Sequence, residues 1–184
     1  AAEASGVFAG LGVANSGLGL YLGTTRRAML NADGLHFGTS DTAAANALDD
    51  YEEGTWTPLI GGWSNSVTKA AAASNQGHYT KIGNLVSVNA NIQWSGTETL
   101  AGGILIKGLP FTSESTLGNR WAGSVAGTTG ITLSYGDNNY LTLGMDRGQT
   151  TMYIIEASTS GYDHSPTIAN AGNIYGMSFS YIVD

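Results

Sequence analysis

The side chains able to do acid chemistry are few and unevenly placed. Of fourteen carboxylates in 184 residues, four (Asp49, Asp50, Glu52 and Glu53) fall inside "NALDDYEEGTWTP", residues 46–58. Clustered carboxylates can divide general acid and base work if their environments push their pKa values apart. They can also gather oxygen ligands around a hard cation. Asp49 and Asp50 are adjacent and so point in different directions, and the alternating D-x-D-x-D-G spacing of a calcium loop is absent. The run reads instead as an acidic turn, either solvated or paired across an interface. Arg26 and Arg27 are the only bases upstream of it. Their guanidinium forks suit carboxylates, so they are expected to pair with this turn, the alternative being an exposed loop. Tyr51 and Trp56 flank the acids as anchors, and Pro58 forces Thr57 extended and launches the next strand.

Other catalytic constellations are missing. His36, His78 and His164 are scattered, with neither H-x-x-x-H nor H-x-H spacing, so no metal site is expected. Without cysteine there is no disulfide, thiolate zinc site or Cys nucleophile. No G-x-S-x-G elbow is present, and "GLGVAN" at Gly10 falls short of a dinucleotide fingerprint. No cofactor and no catalytic residue are expected. What remains is aromatic. Trp63, Trp121 and Tyr162 sit in Gly/Ser/Asn-rich segments, near polar groups such as Asn139 and Asp163. Exposed rings beside such groups can stack on the C–H faces of sugars while the polar groups bond the hydroxyls. The alternative is that each ring plugs one end of the fold. Together they are the candidate receptor-binding residues.

The elements that must position these rings are strands. In "VSVNANIQW", Val86, Val88, Ala90, Ile92 and Trp94 alternate strictly with Ser87, Asn89, Asn91 and Gln93, giving one buried and one polar face. "GILIKGLPF" is a second strand, stopped at Pro110. "GITLSY", "NYLTLGM" and "TMYIIEA" follow between turn clusters such as "GDNN" and "DRGQ". "IYGMSFSYIV" closes the series and is expected to place Tyr175, Met177, Phe179, Tyr181 and Val183 on one side. Short, regularly spaced strands with polar turns predict an all-β antiparallel sandwich, jelly-roll-like.

Residues 1–58 differ from this head over 59–184. They carry seven acids against two bases, and their apolar residues from Val7 to Phe37 are thinly spread among glycines. One chain cannot close a core with so few. "MLNADGLHF" gives a hairpin signal around Asp33-Gly34, and Ser40 or Asp41 could cap a short helix through "TAAANALDDY". That helix would end on Asp49 and Asp50, the wrong sign for its dipole, so those acids serve another purpose. The chain is acidic, with a formal charge of −7, which disfavours nucleic acid and anionic membranes as partners. No apolar run approaches the roughly 20 residues of a membrane span. The N-terminus has neither an initiator Met nor a basic leader and reads as a piece of something longer.

"LGTTRRAMLNADGLHFGTSDTAAANALDDYEEGTWTP", followed by "GHYTKIGNLVSVNANIQW" and "ILIKGLPFTS", resembles the C-terminal part of tailed-bacteriophage tail-fibre proteins. The resemblance covers about Leu22 to Phe111 and, more loosely, "YGMSFSYIVD"; its motifs are structural and identify no catalytic residue. It implies a homotrimer at the distal end of a virion's tail fibre, with a short intertwined stalk and a head that touches a bacterial surface polysaccharide or outer-membrane receptor. The rest of the fibre would lie N-terminal to it. Pooling sparse apolar residues between chains agrees with that implication. In such a fibre Arg26, Arg27, Asp49, Asp50, Glu52, Glu53 and Trp56 would form the stalk-to-head joint. A polysaccharide depolymerase and a purely structural trimerisation module are the alternatives.

Overall fold

The computed structural model describes residues 9–14, 17–38, 50–65, 67–72, 75–116, 121–133, 140–158, 161–163 and 166–184, which form only strands, turns and loops. The predicted helix and the residues of its acidic end up to Asp49 lie outside them. The chain divides into two compact units, residues 1–51 and 52–184.

The first unit is a four-stranded antiparallel meander of β1 (Ala9–Ala14), β2 (Gly17–Leu22), β3 (Thr25–Asn31) and β4 (Gly34–Phe37). The expected hairpin is β3–β4. Its two-residue turn is Ala32-Asp33, because Asn31 pairs with Gly34. Gly34 takes a positive φ as β4 begins. The Asn31 side-chain oxygen accepts from the Asp33 amide at 2.9 Å, an Asx-type turn. Leu18 pairs with Leu30, and Leu30 with Leu35; Leu20 pairs with Ala28, and Ala28 with Phe37. Paired residues share a face, so one side of this sheet is apolar. Leu18, Leu20, Leu30 and Phe37 are exposed there, Phe37 at 67%.

The second unit is a single twelve-stranded antiparallel sheet. Its early strands are β5 (Tyr51–Trp56), β6 (Leu59–Gly62), β7 (Ala70–Ala71), β8 (Gln76–Ile82), β9 (Leu85–Ser95) and β10 (Ile104–Lys107). Its later ones are β11 (Trp121–Ser124), β12 (Gly127–Thr132), β13 (Tyr140–Met145), β14 (Thr151–Ser158), β15 (Gly161–Asp163) and β16 (Thr167–Ile182). The main order is β5-β8-β9-β16-β11-β13-β14-β10-β6, with β12 on β16, β15 on β14 and β7 on β9. The inward residues of β6, β9, β10, β13, β14 and β16 make one continuous core. A sheet that buries one face against itself must curl, and it forms a half-barrel. The sandwich expectation thus holds as far as all-β, antiparallel and one-sided; the strands are not divided into two hydrogen-bonded sheets.

The strand over 85–95 buries every second residue as its sequence predicts. The final strand departs from its expectation at one point. Met177, Phe179, Tyr181 and Val183 are buried, whereas Tyr175 is exposed and Ile174 takes the inward position. The cause is a bulge: the register with β9 shifts between Ile174 and Met177, and Gly176 sits at φ 59°. One extra residue reverses which side chains face in. A second irregularity lies between Thr129 and Ile131, where Gly130 of β12, at φ 73°, faces the four residues 169–172 of β16.

Tight packing against glycine fixes the two neighbours of β9, β16 at Gly172 and β8 at Gly77. Trp94 lies across Gly172, where an added Cβ would meet its ring at 2.3 Å, and its indole N–H donates to the Ala169 carbonyl at 3.2 Å. Trp56 lies over Gly77 in the same way, at 2.1 Å. Gly77→Ala should therefore cost about 1–3 kcal/mol by overpacking, read as a lower denaturant midpoint; an unchanged midpoint would place the Trp56 ring elsewhere. Fully buried Tyr181 donates its hydroxyl to the Phe111 carbonyl at 3.1 Å. Burial pushes its pKa up to about 12. The folded state thus holds the phenolic proton more tightly than the unfolded chain. The contribution of Tyr181 is complete below pH 10 and is lost as pH rises from 10 towards 12. Tyr181→Phe should flatten that alkaline loss while lowering stability near neutrality by about 1 kcal/mol; an equally steep alkaline loss in the variant would assign it to another group.

Candidate functional site: an aromatic pocket on the outer face of the half-barrel

β13 and β14 carry apolar residues on both faces. Met152 and Ile154 point into the core, and between and beyond them Tyr153, Ile155 and Ala157 take the outward positions. On β13, Leu143 and Met145 belong to the core and Gly144 lies between them. Gly144 pairs with Tyr153 on one side and Ala122 on the other. The Ile155 side chain folds over Gly144, where an added Cβ would meet its Cδ1 at 2.4 Å. Small residues beside a large ring and a branched chain leave a hollow. It is an open pocket of about 330 Å³ lined by Trp121, Tyr153, Ile155, Ala157, Thr142 and Asp146 among others. Thr142 donates its hydroxyl to the Gly123 carbonyl at 2.9 Å, tying β13 to β11.

Trp63 joins this site through Tyr153: the two ring centroids are 5.0 Å apart at 53°. Its backbone is braced, with the Trp63 amide donating to Gly103 at 3.0 Å and the Ser64 amide to Ala101 at 2.8 Å. The ring itself is 52% exposed. Trp121 is half-buried and packs against the core edge while lining the pocket. The register sets Tyr162 opposite Ala157, and Asp163 opposite Glu156. Asn139 lies outside the described residues. Trp63 and Trp121, far apart in sequence, thus meet around a third ring, Tyr153. That residue was masked in the sequence by its place between Met152 and Ile154, although an aromatic out of phase with the core residues of its strand marks a second covered face.

The carboxylate lining the pocket is Asp146. Of the other head acids, Glu156 is fully buried on the inward side of β14, and Glu114 accepts from the amide and hydroxyl of Thr116. Glu98 stands at a separate pocket. Asp137 lies outside the described residues.

The acidic segment is a strand rather than a turn. Glu52 and Glu53 are exposed on β5, the edge strand beside β8, and Trp56 at its end is a core residue of the second unit. Glu52 accepts a hydrogen bond from the Tyr79 hydroxyl, which together with slight desolvation raises the Tyr79 pKa. Asp50 is exposed and Asp49 lies outside the described residues. In the first unit Arg26 is buried, its Nη1 3.1 Å from the Met29 sulfur, and Arg27 is exposed. The motifs behind the tail-fibre resemblance meet at one place in the head. Tyr79 stands edge-on to Phe111 at 5.3 Å, Lys81 lies 5.9 Å from the same ring, and Tyr181 bonds the Phe111 carbonyl. These contacts hold strands together, in keeping with motifs of a structural kind.

No protein-family model matches the chain, and no curated protein matches it. Among solved structures, it is similar to the crystal structure of Dettilon tailspike protein (gp208), with a TM-score of 0.57 at 14% identity. The similarity covers 72% of this chain and 24% of that one, so the chain spans about a quarter of the tailspike's length. At that identity the likeness is one of fold: an all-β architecture shared with part of a tailspike.

Proposed function

We propose that the chain is the receptor-binding end of a bacteriophage tail fibre or tailspike, a non-enzymatic adhesin that holds a host surface glycan in its aromatic pocket. The observation that carries this reading is an open pocket lined by Trp121 and Tyr153 on rigid strands, with the exposed Trp63 ring packed on Tyr153, in a fold that resembles a tailspike segment. Rings that stack on sugar C–H faces, with Thr142 and Asp146 at hand for hydroxyls, are suited to a saccharide. Retaining or inverting hydrolysis needs two carboxylates about 5–10 Å apart across the scissile bond, and Asp146 stands without a second carboxylate among the described pocket residues. In the virion the chain would sit distally, joined to the remainder of the fibre through its N-terminal side, with Arg26, Arg27 and the acids from Asp49 to Glu53 at the joint.

The reading includes a homotrimer. The exposed row of Leu18, Leu20, Leu30 and Phe37 supports it, because a contiguous apolar sheet face of this kind marks an association surface. Three copies also multiply weak sugar contacts by effective concentration. Light scattering should give three times the 19.0 kDa chain mass; a monomer at micromolar concentration would remove the trimer.

Trp63→Ala should weaken host-cell adsorption and glycan binding about tenfold per site. Gly144→Ala should do the same by driving Ile155 into the pocket, with little loss of stability because the displaced group is the end of a flexible side chain. Unchanged adsorption by both folded variants would dismiss the pocket. Release of sugars from host polysaccharide by the purified chain would replace the adhesin with a depolymerase.

A further inference from the structure

A second pocket, of about 280 Å³, lies between the segment after β9 and the beginning of β16. Its lining is more polar than that of the first: Thr97, Glu98, Thr99, Thr167 and Asn170 contribute to it, and so does Lys69. Lys69 is the unusual member. Only 2% of its surface is exposed, although lysine is almost never fully buried unless paired. Its ammonium donates to the carbonyls of Gly96 and Glu98, both at 2.9 Å. Those are neutral acceptors. An ammonium has three N–H donors, and among the described residues two are matched and no carboxylate stands within ion-pairing distance. A buried charge without a counter-charge is expensive.

The walls around this cation are firm. The Lys69 amide donates to Ile60 at 2.8 Å, which fixes the root of the side chain. The segment from Gly96 to Gly102 is pinned at Thr99 and Ala101 by the Asn65 side chain, and Gly96 and Gly102 both take positive φ. The Glu98 carboxylate folds back over Gly96, where an added Cβ would meet its Oε2 at 2.0 Å, so it lies at the rim without pairing with Lys69.

We propose that this pocket is an anion subsite that takes the carboxylate of a small acidic sugar, with Lys69 as the charge partner. Thr97, Thr167 and Asn170 would bond the ring hydroxyls. A charge-assisted bond to a desolvated ammonium is about twice as strong as a neutral one, and the ligand supplies the negative charge that the fold withholds. Glu98, exposed and screened, opposes the anion weakly and offers an acceptor to hydroxyls. This subsite is independent of the aromatic pocket and stands or falls without it.

The test titrates the full chain, labelled for amide NMR, with galacturonate and with galactose. Galacturonate should shift the amides of Thr97, Thr99 and Thr167, galactose should not, and added salt should weaken the response. Lys69→Met, which keeps the length of the chain and removes the charge, should lose at least about tenfold in affinity. Glu98→Gln should gain about two- to fivefold by removing the rim charge. Should Lys69→Met fail to fold, the Glu98→Gln and salt arms decide the matter. Equal shifts with both sugars, no response at these amides, or an affinity unmoved by Glu98→Gln would each overturn the proposal and leave Lys69 as a clamp on the Gly96–Glu98 segment.

Discussion

The pairing of β9 with β16 is the constraint on which the second unit depends. Val86 stands opposite Tyr181, Val88 opposite Phe179, Ala90 opposite Met177, Ile92 opposite Ile174 and Trp94 opposite Gly172. Each of these pairs points into the core. A slip of one residue would turn the whole inward set to solvent, and Trp94 would lose the gap that Gly172 provides. The bulge at Gly176 makes this register possible. Tyr175 and Gly176 together oppose the single residue Asn91, whose side-chain oxygen accepts from the Gly176 amide at 2.8 Å. The extra residue lets β16 change phase and still present Ile174 and Met177 inward. It also bends the strand, and bending is what a sheet needs if it is to cover its own apolar face. β12 and β11 then succeed each other along the opposite edge of β16.

This explains what the sequence could and could not disclose. A strict alternation such as that from Leu85 to Ser95 states its own burial, because period two has one structural meaning. It does not state what covers the buried face, and so two packed sheets and one curled sheet look alike in a single strand's pattern. The phase break in β16 was hidden for a related reason. Tyr175 and Ile174 are both acceptable inward residues, and only the positive φ of Gly176 decides between them. The acidic run misled through composition: four carboxylates in five positions suggest a turn, but as the outermost strand β5 leaves Glu52 and Glu53 in solvent, where an edge strand gains from charge. Of the candidate site, the loop position of Trp63 was legible; Trp121 instead begins strand β11, and the convergence of the two was hidden, since Tyr153 joins them only after β14 is placed beside β10 and β13. Lys69, in "VTKAAAAS", carries no pattern at all; its burial arises from a segment some thirty residues onward.

β14 connects stability to recognition. Its inward residues Met152 and Ile154 are among the most completely buried in the molecule, and its outward residues Tyr153, Ile155 and Ala157 shape the aromatic pocket. A pocket built on strand positions is held by the sheet's own hydrogen bonds, so the rings need little ordering when a ligand arrives. The same arrangement limits variation. Shifting β14 to remodel the pocket would disturb the core behind it, whereas exchanging Ile155 or Ala157 alone would not.

The first unit obeys the same rule of one covered face and arrives at the opposite result. In the half-barrel a sheet of twelve strands is long enough to curl and supply its own cover. Four short strands are not: a sheet this narrow cannot fold back over Leu18, Leu20, Leu30 and Phe37, and the glycines at 17 and 19 leave its other residues little bulk to spare. Tyr21 lies over Gly19 on the reverse side, where an added Cβ would meet its ring at 2.6 Å, and Met29 and His36 are buried there. Among the described residues one face is thus covered and the other stands exposed. For the proposed homotrimer, identical copies are the occupants that follow most directly, since each brings the same flat apolar rows and the same need. The number of strands available to cover a face, rather than the hydrophobicity of any one of them, separates the unit that closes its own core from the unit that leaves an apolar face exposed.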